Sequence, residues 1–200
     1  MSGIPVRGQA RGSADAAFAA ARKRGCQRLD FTRDYFTALY RDAATLGIDA
    51  DVLVGQWSLE TGDGTSTYWI EDGNPGGLAA FDDGSNWGLT FSPEKAARAH
   101  AVHMARYLGS TNVPDDWIAT DARWQAVADA GYVGTVTTTD DLGNGRWATD
   151  PQYASKLRSR YVAYWGEPGT TPVQPAGGTD VAITFGNVPI FGHTDRYISD

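Results

Sequence analysis

The sequence predicts an α+β domain that is mainly α-helical. Two observations carry this expectation. Apolar residues recur at helical spacing in several segments bounded by capping residues, and two Gly- and Asp-rich stretches interrupt them. One of those stretches, residues 131–149, holds the run VGTVTTT and an Asn144-Gly145 turn, as in a small hairpin.

Taken in order, residues 13–24 read as a helix with an Ala-rich face. Phe36, Leu39, Tyr40, Ala43 and Leu46 form the apolar stripe of the next, with Asp30 or Thr32 as N-cap and Gly47 as the stop. Asp49 caps a third helix that ends at Gly62, with Ile48 and Leu53 as a hydrophobic staple. Ser92-Pro93 opens a fourth in cap-then-Pro order, running to Gly109. A shorter helix is expected over residues 121–130, and a last one from Asp150-Pro151 to Gly166. Residues 63–91 contain six Gly and one Pro, which rules out a long helix there. No internal repeat is visible.

A chain of 200 residues and 21.5 kDa can bury a core without disulfides or a structural metal. Its single cysteine, Cys26, excludes a disulfide framework and any CxxC metal site. The net charge of −7 argues against a nucleic-acid partner. The N-terminal residues lack a continuous apolar stretch, so no signal peptide and no membrane segment are expected, and the protein is expected to be soluble and made in the cytoplasm. The main domain is expected over residues 1–166. A Gly/Pro/Thr linker covers 167–178, and 179–200 form a short β-like tail or the stub of a second module. All seven Trp fall between Trp57 and Trp165, where they serve either the core or a groove that stacks on sugar rings.

Most catalytic signatures are absent: there is no GxSxG, no GxxxxGK-S/T loop and no GxGxxG. His100 and His103 share a helix face, but the third histidine, His193, lies beyond the linker. Metal binding is therefore not expected, and the pair reads as two polar helix residues. Glu60 stands out. It falls in the last turn of the third helix, with Trp57 one turn before it. The negative end of the helix dipole and burial against an indole both disfavour a charged carboxylate, and a raised pKa suits a general acid. The alternative is an ordinary solvated Glu near a helix end.

The segment from Gln56 to Ser66, QWSLETGDGTS, resembles the Q-x-x-L-E-S/T-G-x-G-x-S signature of the glucosaminidase domain family, glycoside hydrolase family 73. Asn74-Pro75-Gly76-Gly77-Leu78 is similar to that family's N-L/P-x-G-I/L element, and WATDPQYA over residues 147–154 to its Y-A-T-D-P-x-Y-A element. Together the three span about residues 30–166. The resemblance implies a lysozyme-like fold of two lobes, the smaller one β-containing, with a cleft between them. It implies cleavage of the β-1,4 bond between N-acetylglucosamine and N-acetylmuramic acid in peptidoglycan, with Glu60 as general acid. It also implies that Gln56, Asn74, Trp147 and Tyr153 belong to the substrate-binding set, Trp147 standing where the family usually has Tyr.

A second carboxylate is commonly required across the sugar. Glu71, Asp72, Asp82 and Asp83 all lie in the insertion, and Asp83, or its neighbour Asp82, is the choice, although FDDGSNWG also reads as a turn. Trp87, after that turn, suits sugar stacking or lobe packing equally. No cofactor is implied. The expected partner is the peptidoglycan glycan strand, with no nucleic acid or membrane, and the protein is expected to be a monomer. A wall hydrolase without a signal peptide suggests a phage endolysin or a virion-associated lysin. Two rival readings keep the same fold: a lytic transglycosylase using Glu60, and a non-catalytic wall-binding or phage structural module.

Overall fold

A computed structural model describes residues 3–78 and 90–169 of the chain. Seven α-helices are formed among these residues: α1 (Ala14–Lys23), α2 (Leu29–Leu46), α3 (Ala50–Thr61), α4 (Pro93–Tyr107), α5 (Asp115–Ile118), α6 (Trp124–Asp129) and α7 (Tyr153–Trp165). A π-helical turn covers Tyr68–Asp72 and a 3-10 turn covers Thr139–Leu142. The mainly α-helical class is thus what the chain adopts. No described helix is long and apolar enough to cross a membrane.

α3 is the central element, and every residue from Ala50 to Ser58 is buried. A helix buried around its whole circumference belongs inside a bundle. α7 lies against one side of it, and α2, which also runs along α4, flanks it too. Gly55 allows the close approach of α7. A Cβ there would stand 3.2 Å from the Tyr161 backbone nitrogen and 3.3 Å from its Cα. The aromatic heart of the core is Tyr35 and Phe36 from α2, Trp57 from α3, and Trp69. The Phe36–Trp57 and Trp57–Trp69 ring centroids are 4.8 and 5.4 Å apart, both edge-to-face.

Several helix ends follow the sequence closely. The side chains of Ser13, Asp49 and Ser92 each accept a backbone N–H in the first turn of α1, α3 and α4. Gly47 and Gly62 end α2 and α3 in the left-handed conformation. Ile48 and Leu53 are both buried, as a staple requires.

Other expectations are corrected. α2 begins at Leu29, ahead of Asp30 and Thr32, and the Thr32 hydroxyl bonds back to the Arg28 carbonyl inside the first turn. α6 starts only at Trp124, because the Asp121 side chain accepts the Arg123 N–H and makes a turn of its own.

The hairpin expected in 131–149 does not form. Asn144 and Gly145 have the positive φ values of a tight turn, 59° and 86°. The preceding residues wind instead into the 3-10 turn, closed by a capping box between Thr138 and Asp141. Thr137 and Thr139 find their partners at the far end of the chain. Val6 N–H donates to the Thr137 carbonyl at 3.0 Å, and Ile4 N–H to the Thr139 hydroxyl at 3.0 Å. On its other edge the same segment is joined to the turn before α3, through Asp49 N–H to the Val6 carbonyl at 2.9 Å. β-pairing among the described residues is therefore limited to isolated bridges, Pro5 with Thr138 and Arg7 with Ile48. The β-containing lobe is not seen in them. The linker beyond Gly169 and the tail lie outside the described residues, as do Asp82, Asp83 and Trp87.

Candidate active site

Glu60 projects from the last turn of α3 and is partly exposed. The segment after it is tied down firmly. Thr61 donates its hydroxyl to the Trp57 carbonyl at 2.6 Å and accepts the Gly64 N–H at 2.9 Å. Asp63, left-handed at φ 59°, accepts from Ser58 at 2.6 Å, Arg160 at 2.7 Å and Tyr164 at 2.9 Å. The motif around Glu60 thus locks the end of α3 onto α7.

Two donors converge on one carboxylate oxygen. Glu60 Oε1 accepts the Tyr153 hydroxyl at 2.5 Å and the Trp147 indole N–H at 3.0 Å. Burial pushes the Glu60 carboxyl up from its ordinary value. The Tyr153 and Trp147 hydrogen bonds and the Arg123 guanidinium oppose that shift without cancelling it. The indole expected beside Glu60 was Trp57, but that ring is fully buried against Phe36 and Trp69. The indole at the carboxylate is that of Trp147, from a remote loop, and its N–H favours the charged form.

Tyr153 is buried at the start of α7, and burial together with the Glu60 charge holds its phenol proton in place well past the usual tyrosine range. Gln56, one turn before Glu60, is wholly buried and donates its Nε2 to the Tyr153 hydroxyl at 3.0 Å. Its Oε1 meets His100 Nε2 at 3.0 Å, and His100 Nδ1 meets the Tyr35 hydroxyl at 2.7 Å. Gln56, expected in the binding set, is thus engaged inside the core by Tyr153 and His100. Asn74 is also turned inward. It donates to the Leu78 carbonyl and accepts the Leu78 and Gly76 N–H groups at 2.7, 3.0 and 3.3 Å. That clamp fixes the Asn74–Leu78 loop beside the acid. A Cβ on Gly76 would stand 3.3 Å from the Trp147 ring, 3.9 Å from His100 and 4.0 Å from Glu60 Cγ. The glycine thus brings backbone close beside the carboxylate, where a side chain would press on the Trp147 ring.

His100 and His103, read from the sequence as two polar helix residues, are both buried in α4. The His103 ring meets Trp147 edge-on, centroids 4.7 Å apart, and its Nδ1 is 2.9 Å from Asp121 Oδ2. The His103–Asp121 pair thus props the indole that reaches Glu60. Among the described residues no group of three or more His, Cys, Asp or Glu side chains is placed to hold a metal ion.

A partly exposed, desolvated carboxyl with one oxygen held by two donors is suited to give up a proton from its other oxygen. The family model for glucosaminidase, described as mannosyl-glycoprotein endo-β-N-acetylglucosaminidase, matches residues 37–165, well over half of the chain. The chain belongs to this family. It is accordingly a glycoside hydrolase of the peptidoglycan-acting type. Comparisons with curated proteins and with solved structures returned no match. The matched region of this glucosaminidase-family chain contains the Glu60, Gln56, His100, Trp147 and Tyr153 cluster, and Tyr35 falls just before it. His100 and Arg123 were not legible as site residues in the sequence. Nothing in the spacing of α4 tells a buried histidine facing α3 from one facing solvent.

Proposed function

We propose that the protein is an endo-β-N-acetylglucosaminidase that cleaves the β-1,4 bond between N-acetylglucosamine and N-acetylmuramic acid, with Glu60 as the general acid. The convergence of Tyr153 and Trp147 on a single oxygen of Glu60 carries this reading. With Oε1 occupied by two donors, the acidic proton resides on Oε2. That proton passes to the leaving glycosidic oxygen as positive charge develops on the sugar. The carboxylate left behind is stabilised at Oε1 by the same two donors, while burial favours the protonated acid beforehand. Trp147, partly exposed, offers a ring face to a sugar as well as its N–H to the acid. Asp83, or Asp82, remains the sequence-based choice for the second carboxylate, and Trp87 for a stacking ring.

Digestion of purified peptidoglycan by the wild type and by Glu60→Gln, followed by borohydride reduction and mass spectrometry, tests the reading. Reduced N-acetylglucosamine ends from the wild type alone are expected. Anhydro-muramic ends would make the enzyme a lytic transglycosylase. Undiminished products from the Glu60→Gln protein would remove Glu60 from the chemistry.

A further inference from the structure

The side chains behind Glu60 form one continuous row through the core: Tyr35, His100, Gln56, Tyr153, Glu60. The direction of each hydrogen bond in it follows from its outer end. Glu60 Oε1 can only accept, whether the group is ionised or carries its proton on Oε2, so the single Tyr153 proton points to Glu60. The group that Gln56 turns to Tyr153 must then be its NH2, which leaves its carbonyl oxygen for His100. That oxygen needs a proton on His100 Nε2. Burial, with His103 a lesser cause, pushes the imidazole down to about 3, so it is neutral and its Nδ1 is bare. Bare Nδ1 accepts from Tyr35, whose buried phenol keeps its proton. Each of the four contacts is 3.0 Å or shorter.

We infer that His100, held in its Nε2–H form by Tyr35, is a positioning residue that fixes which way the Gln56 amide faces and thereby keeps the Tyr153 hydroxyl donating to Glu60. Reversal of the amide would aim the Gln56 oxygen at Tyr153 and draw the phenol proton away from the acid. It would also demand a proton on His100 Nδ1, so that the Tyr35 hydroxyl would have to accept there and leave its own buried O–H without an acceptor among the described residues. The row thus has one low-energy direction. It reserves Oε1 for the negative charge and Oε2 for the proton that leaves. This role rests on Glu60 being the acid.

The charged and titratable groups facing this row are few among the described residues. Tyr153 and Arg123 act on Glu60, and Glu60 and Tyr107 act on Tyr153. Tyr35 and His103 face His100, and His103 is itself bonded to Asp121. Loss of the directed Tyr153 bond removes an influence that lowers the Glu60 pKa, so the limb of the pH profile on which activity is lost by Glu60 deprotonation moves to higher pH.

The test measures kcat, KM and the pH dependence of kcat/KM on solubilised peptidoglycan for His100→Leu, His100→Gln and Tyr35→Phe, with the folded fraction of each fixed by near-ultraviolet circular dichroism. His100→Leu is expected to lower kcat on the order of tenfold, as for loss of one hydrogen bond to a charged group, with KM little changed. Its alkaline limb should rise by about one pH unit, the equivalent of about tenfold in that equilibrium. Tyr35→Phe should move the limb the same way by less. His100→Gln, neutral and able to donate toward Gln56, should restore much of the wild-type limb. Activity losses that follow the folded fraction with an unmoved limb would overturn the inference. If His100→Leu does not fold, an unmoved limb in Tyr35→Phe does so alone. Full activity in Glu60→Gln would instead sink the assignment of the acid.

Discussion

α3 carries a carboxylate near each end, and the two are bonded in opposite ways. Asp51, in the first turn, is wholly buried, and both its oxygens are engaged. Oδ2 accepts the Arg11 and Gly12 backbone N–H groups at 2.8 and 2.9 Å, and Oδ1 accepts the Tyr40 hydroxyl at 2.7 Å. Glu60, in the last turn, is partly exposed, and both of its donors sit on Oε1. The helix dipole favours the anion at the first end and disfavours it at the second. A buried carboxylate with both oxygens engaged by the protein is a structural staple. One held by a single oxygen, at the end of the helix where ionisation is least favoured, is left with chemistry to do.

The largest expected effect tests the second end. Glu60→Gln should reduce the rate of peptidoglycan cleavage by about a thousandfold, the range for loss of a positioned general acid, measured as reducing ends released. The same change should not reduce stability at neutral pH. Burial raises the folded-state pKa of Glu60 above its ordinary 4.5. Its contribution to stability is therefore complete only below that ordinary value and is lost as pH rises through the folded value. The amide carbonyl introduced by Glu60→Gln still accepts from Tyr153 and Trp147. Thermal melts at pH 7 and pH 4 should show the variant at least equal to wild type at pH 7, with any advantage gone at pH 4.

Asp51→Ala reverses the pattern. It orphans three donors at once and should cost about 3 kcal/mol or more in urea denaturation, with the specific activity of the remaining folded protein nearly intact. A stable Asp51→Ala protein would break the contrast. Tyr153→Phe comes next. It removes one charge-assisted donor and should lower kcat about tenfold to a hundredfold, with the alkaline limb of activity displaced upward. The smallest effect concerns Asp49, the N-cap of α3, which burial and the neighbouring Asp51 charge push up to about 6. Its folded-state pKa is raised, so ionisation at neutral pH works against folding. Asp49→Asn keeps a capping side chain and should stabilise the protein by on the order of 1 kcal/mol at pH 7, an advantage that fades as pH falls from 6 toward 4. Equal melting curves at both pH values would refute this.

The difference between the ends of α3 also marks how far sequence reading reached. Asp49, Gly62 and the apolar run between them were legible because capping and burial are local consequences of residue type, and the helix formed within those limits. Glu60 was legible as a candidate through the Q-x-x-L-E-T-G pattern and its place at a helix end. Burial raises its pKa as expected, but the indole beside the carboxylate is that of Trp147, 87 residues along the chain, and not that of Trp57. Gln56 and Asn74 were marked by their motifs, yet a motif does not state which way an amide points. One faces into the core and the other into its own loop. The missing hairpin has a similar lesson. Asn144-Gly145 has the turn chemistry, but a four-residue capping box and a pairing partner at residues 4–6 took the preceding threonines first.

By itself the sequence determined the order of the main helices, both ends of α3, and that Glu60 is the residue to ask about. These depend on interactions within a few residues of one another, so the order of residues suffices. Only the tertiary structure decided what stands around that carboxylate. Tyr35, His100, Gln56, Trp147 and Tyr153 come from four helices and a loop, and their hydrogen bonds span up to 97 residues of chain. A directed row of donors is a property of packing, because each polar atom in it is committed only when burial has removed water as its alternative partner.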